Sequence, residues 1–115
     1  MIIEEIMEKI DSFTEERDWV QFHDARNLAS SISIEAAELL EIFQWNNPKV
    51  EEIKQDSSLL DSISEEIADV MIYCFRLCST LDLNPIEIIE QKLKINAEKY
   101  PVEKSRGSTK KYSEL

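Results

Sequence analysis

One glycine, Gly107, serves all 115 residues of this chain, and that scarcity removes most folds from consideration. Two-residue hairpin turns need left-handed residues, most often glycine, and both phosphate-cradling loops and the dinucleotide fingerprint need several glycines at fixed offsets. What is left is helices joined by short polar connections, so the expectation is an all-α fold. The length suits one domain with one core. A hydrophobic content of 43% is ordinary for a globular protein and argues against disorder.

Apolar residues at helical spacing mark the segments. Ile3, Ile6, Ile10 and Phe13 define a first helix over roughly 2 to 17, and the aromatic-rich stretch from Arg17 to His23 breaks it. A second helix is expected from near Asp24 or Asn27 to about Phe43, with Leu28, Ile32, Ala36, Leu39 and Phe43 as its stripe. Asn47-Pro48 reads as an N-cap followed by proline at the first helical position. The segment it opens should pause around Asp56-Ser57-Ser58 and continue to about Leu81, although Ser62-Ile63-Ser64-Glu65 resembles a capping box and would set the break later. Apolar residues cover more than half the circumference of 67 to 78, which points to burial on two sides and a subunit interface. Asn84-Pro85-Ile86-Glu87 opens a last helix that Pro101 stops near Tyr100, with Ile86, Ile89 and Leu93 facing inward.

Two acidic motifs stand on these helices: Glu35-Ala36-Ala37-Glu38 and Glu66-Ile67-Ala68-Asp69. The i, i+3 spacing puts both carboxylates of a pair on one helix face, one turn apart, at the border of the apolar stripe. If the helices pack side by side, four oxygen donors converge, and such a cluster suits Mg²⁺, with Mn²⁺ as an alternative, better than zinc. Spacing alone leaves two readings open, a metal site and a solvated charged face. A ferritin-like di-iron bundle needs Glu-x-x-His motifs on two helices, and the one histidine, His23, lies outside both acidic pairs.

The remaining candidates also carry two readings. Trp19, Phe22, His23 and Trp45 flank the second helix as core caps or as a platform for a nucleobase. Lys92, Asn96 and Lys99 share a face of the last helix that is solvated by default, yet supplies the local cations a polyphosphate would need. Cys74 and Cys78 read as reduced packing residues, since two thiols without nearby histidine make no structural zinc site. The formal net charge of −11 opposes nucleic-acid polymers and anionic membranes. No transmembrane run and no basic leader precede the first helix, so a cytoplasmic location is expected.

Taken in order, the runs Phe13 to Leu28, Glu35 to Trp45, Glu65 to Tyr73, Asn96 to Val102 and Gly107 to Tyr112 resemble the MazG-like, all-alpha nucleoside triphosphate pyrophosphohydrolases, the dCTP pyrophosphatase-like branch in particular. Residues 46 to 62 and the first dozen match no part of that pattern. The resemblance implies a MazG-like four-helix bundle over residues 1–103 with a basic tail over 104–115, oligomeric through its central helices as a dimer or tetramer. It implies Mg²⁺-dependent cleavage between the α- and β-phosphates of dCTP or a modified pyrimidine nucleotide, as nucleotide-pool sanitation. Glu35, Glu38, Glu66 and Asp69 match the family's metal ligands. His23, Trp45 and Asn96 match positions that contact the nucleotide, Trp19 lines the base pocket, and Lys92, Lys99 and Tyr100 become phosphate contacts. A spare carboxylate, Glu41 or Glu65, would position the water. Two alternatives stay beside this reading: a related pyrophosphohydrolase acting on dUTP or phosphoribosyl-ATP, and a non-catalytic helical interaction module.

Overall fold

The computed structural model describes residues 2–115, and every regular element among them is helical. The all-α expectation holds. In chain order α1 spans Ile3–Glu16, α2 Ala25–Glu41, α3 Val50–Gln55, α4 Ser57–Thr80, α5 Pro85–Lys99 and α6 Val102–Ser105, with 3₁₀ turns at Val20–Phe22 and Tyr112–Glu114. The chain divides into two compact units, Met1–Asp82 with α1 to α4, and Leu83–Leu115 with α5 and α6.

Side-chain caps set the main helix starts. Asp24 Oδ1 accepts from the Asn27 amide at 2.7 Å, Asp56 Oδ1 from Leu59 at 3.1 Å, and Asn84 Oδ1 from Ile86 and Glu87 at 2.9 and 3.2 Å. Each such cap stabilises its helix by about 1 kcal/mol. Asp56 thus settles where the long segment breaks. Ser62 caps nothing: its hydroxyl donates to the Ser58 carbonyl at 3.2 Å, one turn back inside α4.

Three boundaries differ from expectation. Asn47-Pro48 does not open α3, which starts at Val50 with Glu51 and Glu52 in its first turn and Lys54 in its last, the charge order that suits a helix dipole. α2 closes at Glu41, two residues short of Phe43. There the amides of Phe43 and Gln44 turn to the carbonyls of Leu40 and Glu41, at 2.9 and 3.1 Å, in the tighter i→i−3 pattern. Pro101 ends α5 as expected but also serves as the N-cap of the unforeseen α6, where the Ser105 hydroxyl donates to the Pro101 carbonyl at 2.7 Å.

With glycine so scarce, two aspartates take the left-handed positions that follow helix ends. Asp18 stands after α1 at φ 55° and Asp82 after α4 at φ 56°. Aspartate tolerates this region better than most residues because its short side chain is polar.

Within the first unit α2 lies along α4, and α1 and α3 also pack onto α4. The buried apolar side chains are Ile10 of α1, Leu28 of α2, and Ile63 and Cys78 of α4. Cys74 is half-buried, and both thiols are free. Burial, and then the neighbouring Cys74, push the Cys78 thiol pKa up, so the reading of unreactive packing residues fits. Much apolar surface stays open in the single chain: Ile67 and Met71 of α4 are 43% and 49% exposed and Leu40 of α2 is 70% exposed. In the second unit Ile86, Ile89 and Leu93, expected to face inward, are all exposed. A 33-residue segment offers too little chain to enclose them. No helix among the described residues is long and apolar enough to cross a membrane.

Candidate metal centre and adjoining cavity

The pairing of α2 with α4 brings the two acidic motifs together. One carboxylate oxygen each from Glu35, Glu38 and Glu66 lie within 4.8 Å of one another. Glu35 Oε2 and Glu66 Oε2 are sealed from solvent and accept no hydrogen bond from any described residue. Burial and the neighbouring Glu38, Asp69 and Glu66 carboxylates push the Glu35 pKa up to about 7. Glu66 is raised too, first by burial and then by Glu38, Asp69 and Glu65. None of the ion pairs among the described residues involves this cluster.

Buried carboxylate oxygens ordinarily have partners. Two without any, side by side, form an all-oxygen donor set lacking positive charge, and a hard divalent cation such as Mg²⁺ fits it. Asp69, one turn beyond Glu66, falls outside the convergent trio, although its charge acts on both Glu35 and Glu66. On the other side, Glu41 and Glu65 share an open crevice with Glu38 and Glu66.

Asp69 links the cluster to a cavity of about 400 Å³ whose walls include Phe13, Trp19, His23, Tyr73 and Arg76. Trp19 meets Phe13 edge-to-face at 5.7 Å between ring centroids, and His23 meets Tyr73 likewise at 6.4 Å. The Arg17 guanidinium carbon lies over the Phe13 ring, 3.6 Å from its centroid. Burial, and secondarily the charge of Arg76, lower the His23 pKa, so the imidazole is neutral near pH 7.

Of the sequence candidates, Glu35, Glu38 and Glu66 converge, and Asp69, His23 and Trp19 share the cavity beside them. Trp45 does not line that cavity; it stands 84% exposed in the bend after α2. Lys92, Asn96 and Lys99 lie on α5, and Tyr100 is its C-cap. There Lys99 Nζ sits 4.8 Å above the Tyr112 ring, and Tyr100 packs edge-to-face on the same ring at 6.1 Å. Sequence reasoning passed over Tyr73 and Arg76. A signal existed for Arg76, the lone basic residue in the 24-residue α4, where a charge at a buried position calls for a partner.

The family model described as the MazG-like family matches residues 30–115. Rat (Rattus norvegicus) dCTP pyrophosphatase 1 is 36% identical over 118 residues, covering 98% of this chain and 67% of that protein. The human (Homo sapiens) dCTP pyrophosphatase 1 is 34% identical with the same coverage. A crystal structure of a pyrophosphatase from Archaeoglobus fulgidus DSM 4304 superimposes with a TM-score of 0.78 at 44% identity, covering 86% of this chain and 92% of that one.

Proposed function

Since the chain belongs to the MazG-like family, we propose that it is a nucleoside triphosphate pyrophosphohydrolase, cleaving dCTP or a modified pyrimidine deoxynucleotide between the α- and β-phosphates. Water adds to one of the two phosphorus atoms, the bridging P–O bond breaks, and a nucleoside monophosphate and pyrophosphate leave. The observation that carries this reading is the pair of sealed, unpartnered oxygens on Glu35 and Glu66 beside a cavity walled by aromatic rings. One part of the site wants a cation, and the adjoining part has the shape and chemistry for a flat base.

In this reading Glu35, Glu38, Glu66 and Asp69 hold Mg²⁺. When bound, it supplies Lewis acidity to the phosphoryl oxygens and lowers the pKa of a water. With it bound, the four carboxylates would stay ionised and hold the cation, whose charge would offset their repulsion of the triphosphate. Trp19 and Tyr73 flank the base, and stacking of this kind contributes about 1–3 kcal/mol per base. Either Glu41 or Glu65, which share the outer crevice with two of the ligands, orients the attacking water. His23 lines the base cavity and not that outer crevice. Trp45, Asn96, Lys92, Lys99 and Tyr100 keep their substrate roles on the strength of the resemblance alone. The open apolar side chains of α2 and α4 favour a homo-oligomer. The names of the curated relatives favour dCTP, and no feature of the site favours phosphoribosyl-ATP.

The test is product analysis. Incubated with dCTP and Mg²⁺, the protein should release dCMP and pyrophosphate, and Glu38→Ala should abolish turnover with helicity by circular dichroism unchanged. Release of dCDP and free phosphate, or full activity in excess chelator, would sink the proposal.

A further inference from the structure

Arg76 is buried on α4, its side chain 10% exposed, and spends its directed bonds on two groups. Its Nη1 donates to Asp11 Oδ1 of α1 at 3.1 Å, and its Nε donates to Nδ1 of His23 at 3.1 Å. A guanidinium has only donors and does not lose its proton in proteins. Nδ1 of His23 must therefore be the acceptor and carry no hydrogen. A neutral imidazole has one N–H, so the proton sits on Nε2. The other tautomer, and the imidazolium, would set two N–H groups against each other.

Nε2 has no hydrogen-bond partner among the described residues, nor is it one of their sealed, unpartnered atoms. His23 lines the cavity with Trp19 and Tyr73. A donor of fixed orientation therefore stands in a largely apolar pocket whose other polar lining includes Lys9 and the Tyr73 hydroxyl. The Asp11 contact matters as well, because it anchors the guanidinium from α1 and holds Nε in register with the ring.

We propose that Arg76 is a positioning residue: with Asp11 it locks His23 into the tautomer that donates from Nε2, so that the cavity holds a base through a carbonyl oxygen or unprotonated ring nitrogen at that point. Cytosine meets the requirement through O2 or N3. The ligand half of this inference rests on the pyrophosphohydrolase reading; the tautomer half does not.

His23 is the chain's one histidine, so long-range ¹⁵N–¹H correlation of the ring reads its state without ambiguity. The expected spectrum has Nδ1 unprotonated and Nε2 protonated. Protonation on Nδ1, or averaged shifts of exchanging tautomers, would overturn the proposal whatever the enzyme hydrolyses. The second test is a double-mutant cycle read by calorimetric binding of dCMP in Mg²⁺ buffer and by KM for dCTP. A glutamine at 23 can accept from Arg76 and donate into the cavity without any tautomer to choose. Arg76→Met should weaken binding and raise KM about tenfold with His23 present, the scale of one lost hydrogen bond. In the His23→Gln background the same change should cost less than about threefold. Equal losses in both backgrounds would make Arg76 a structural residue only. If Arg76→Met fails to fold, Arg76→Lys in the same cycle decides, since it keeps the charge beside Asp11 and loses the Nε fork. A wild-type protein that hydrolyses no nucleotide yet shows the locked tautomer would refute the function and leave the positioning role standing.

Discussion

Glu35 and Glu66 each bury an oxygen with nothing to accept from, and that has a thermodynamic consequence at the single residue. Burial and like charge hold the Glu35 carboxyl at about 7, above its ordinary 4.5. Between those values the folded protein binds a proton that the unfolded chain has released, so metal-free stability falls as pH rises through this window. A cation reverses the sign by favouring the ionised carboxylates. In chelator, Glu35→Gln should gain Tm relative to wild type as pH goes from 5 to 8, and the Mg²⁺-induced rise in Tm should be lost in the variant. A difference that does not change with pH would show that Glu35 is ionised throughout. The two acidic pairs were legible because i, i+3 spacing is a local property of a helix. Which three oxygens converge was not, since that depends on the rotation of α2 against α4. Arg76 stayed hidden because its partners, Asp11 and His23, lie 65 and 53 residues away in sequence.

At the scale of elements, helix starts were readable wherever an Asx side chain does the capping, as at Asp24, Asp56 and Asn84. Starts that rest on charge alone, such as that of α3 behind Lys49, leave a fainter trace, and a proline two residues earlier misdirected the reading. Ser62 misled for a related reason. The same Ser-x-x-Glu pattern serves as a cap or as a helix interior, and Asp56 had already claimed the start. Helix ends depend on the left-handed aspartates. Asp18 earns part of its place by accepting from Gln21 Nε2 at 2.9 Å, whereas no side-chain hydrogen bond involves Asp82 among the described residues. Asp82→Gly should therefore stabilise the protein by about 1 kcal/mol, the approximate penalty for a side chain in that region. Chemical denaturation would measure it as a higher midpoint at constant slope. A lower midpoint would mean that the aspartate makes an interaction its backbone angle conceals.

For the whole molecule, the all-α class followed from the scarcity of one residue type, while the extent of burial did not follow from periodicity at all. A stripe shows which face avoids water, not whether the same chain covers it. Ile67 and Met71 remain open on the most central helix of the first unit, and exposed apolar surface of this kind marks association sites. Met71→Lys should convert an oligomer into a monomer by light scattering, with a lower Tm, because the wild-type packing across subunits would be lost. A wild-type protein that is already monomeric at micromolar concentration would refute the expectation. The few apolar side chains buried within the first unit, Ile10, Leu28, Ile63 and Cys78, carry a consequence for life in a cell. If the apolar cover comes from a second copy, as the Met71→Lys measurement would test, folding becomes a question of abundance. Scarce, newly made chains would linger with their helices open to proteases, and lifetime would lengthen steeply once synthesis passed a threshold, so that doubling expression would more than double the standing pool.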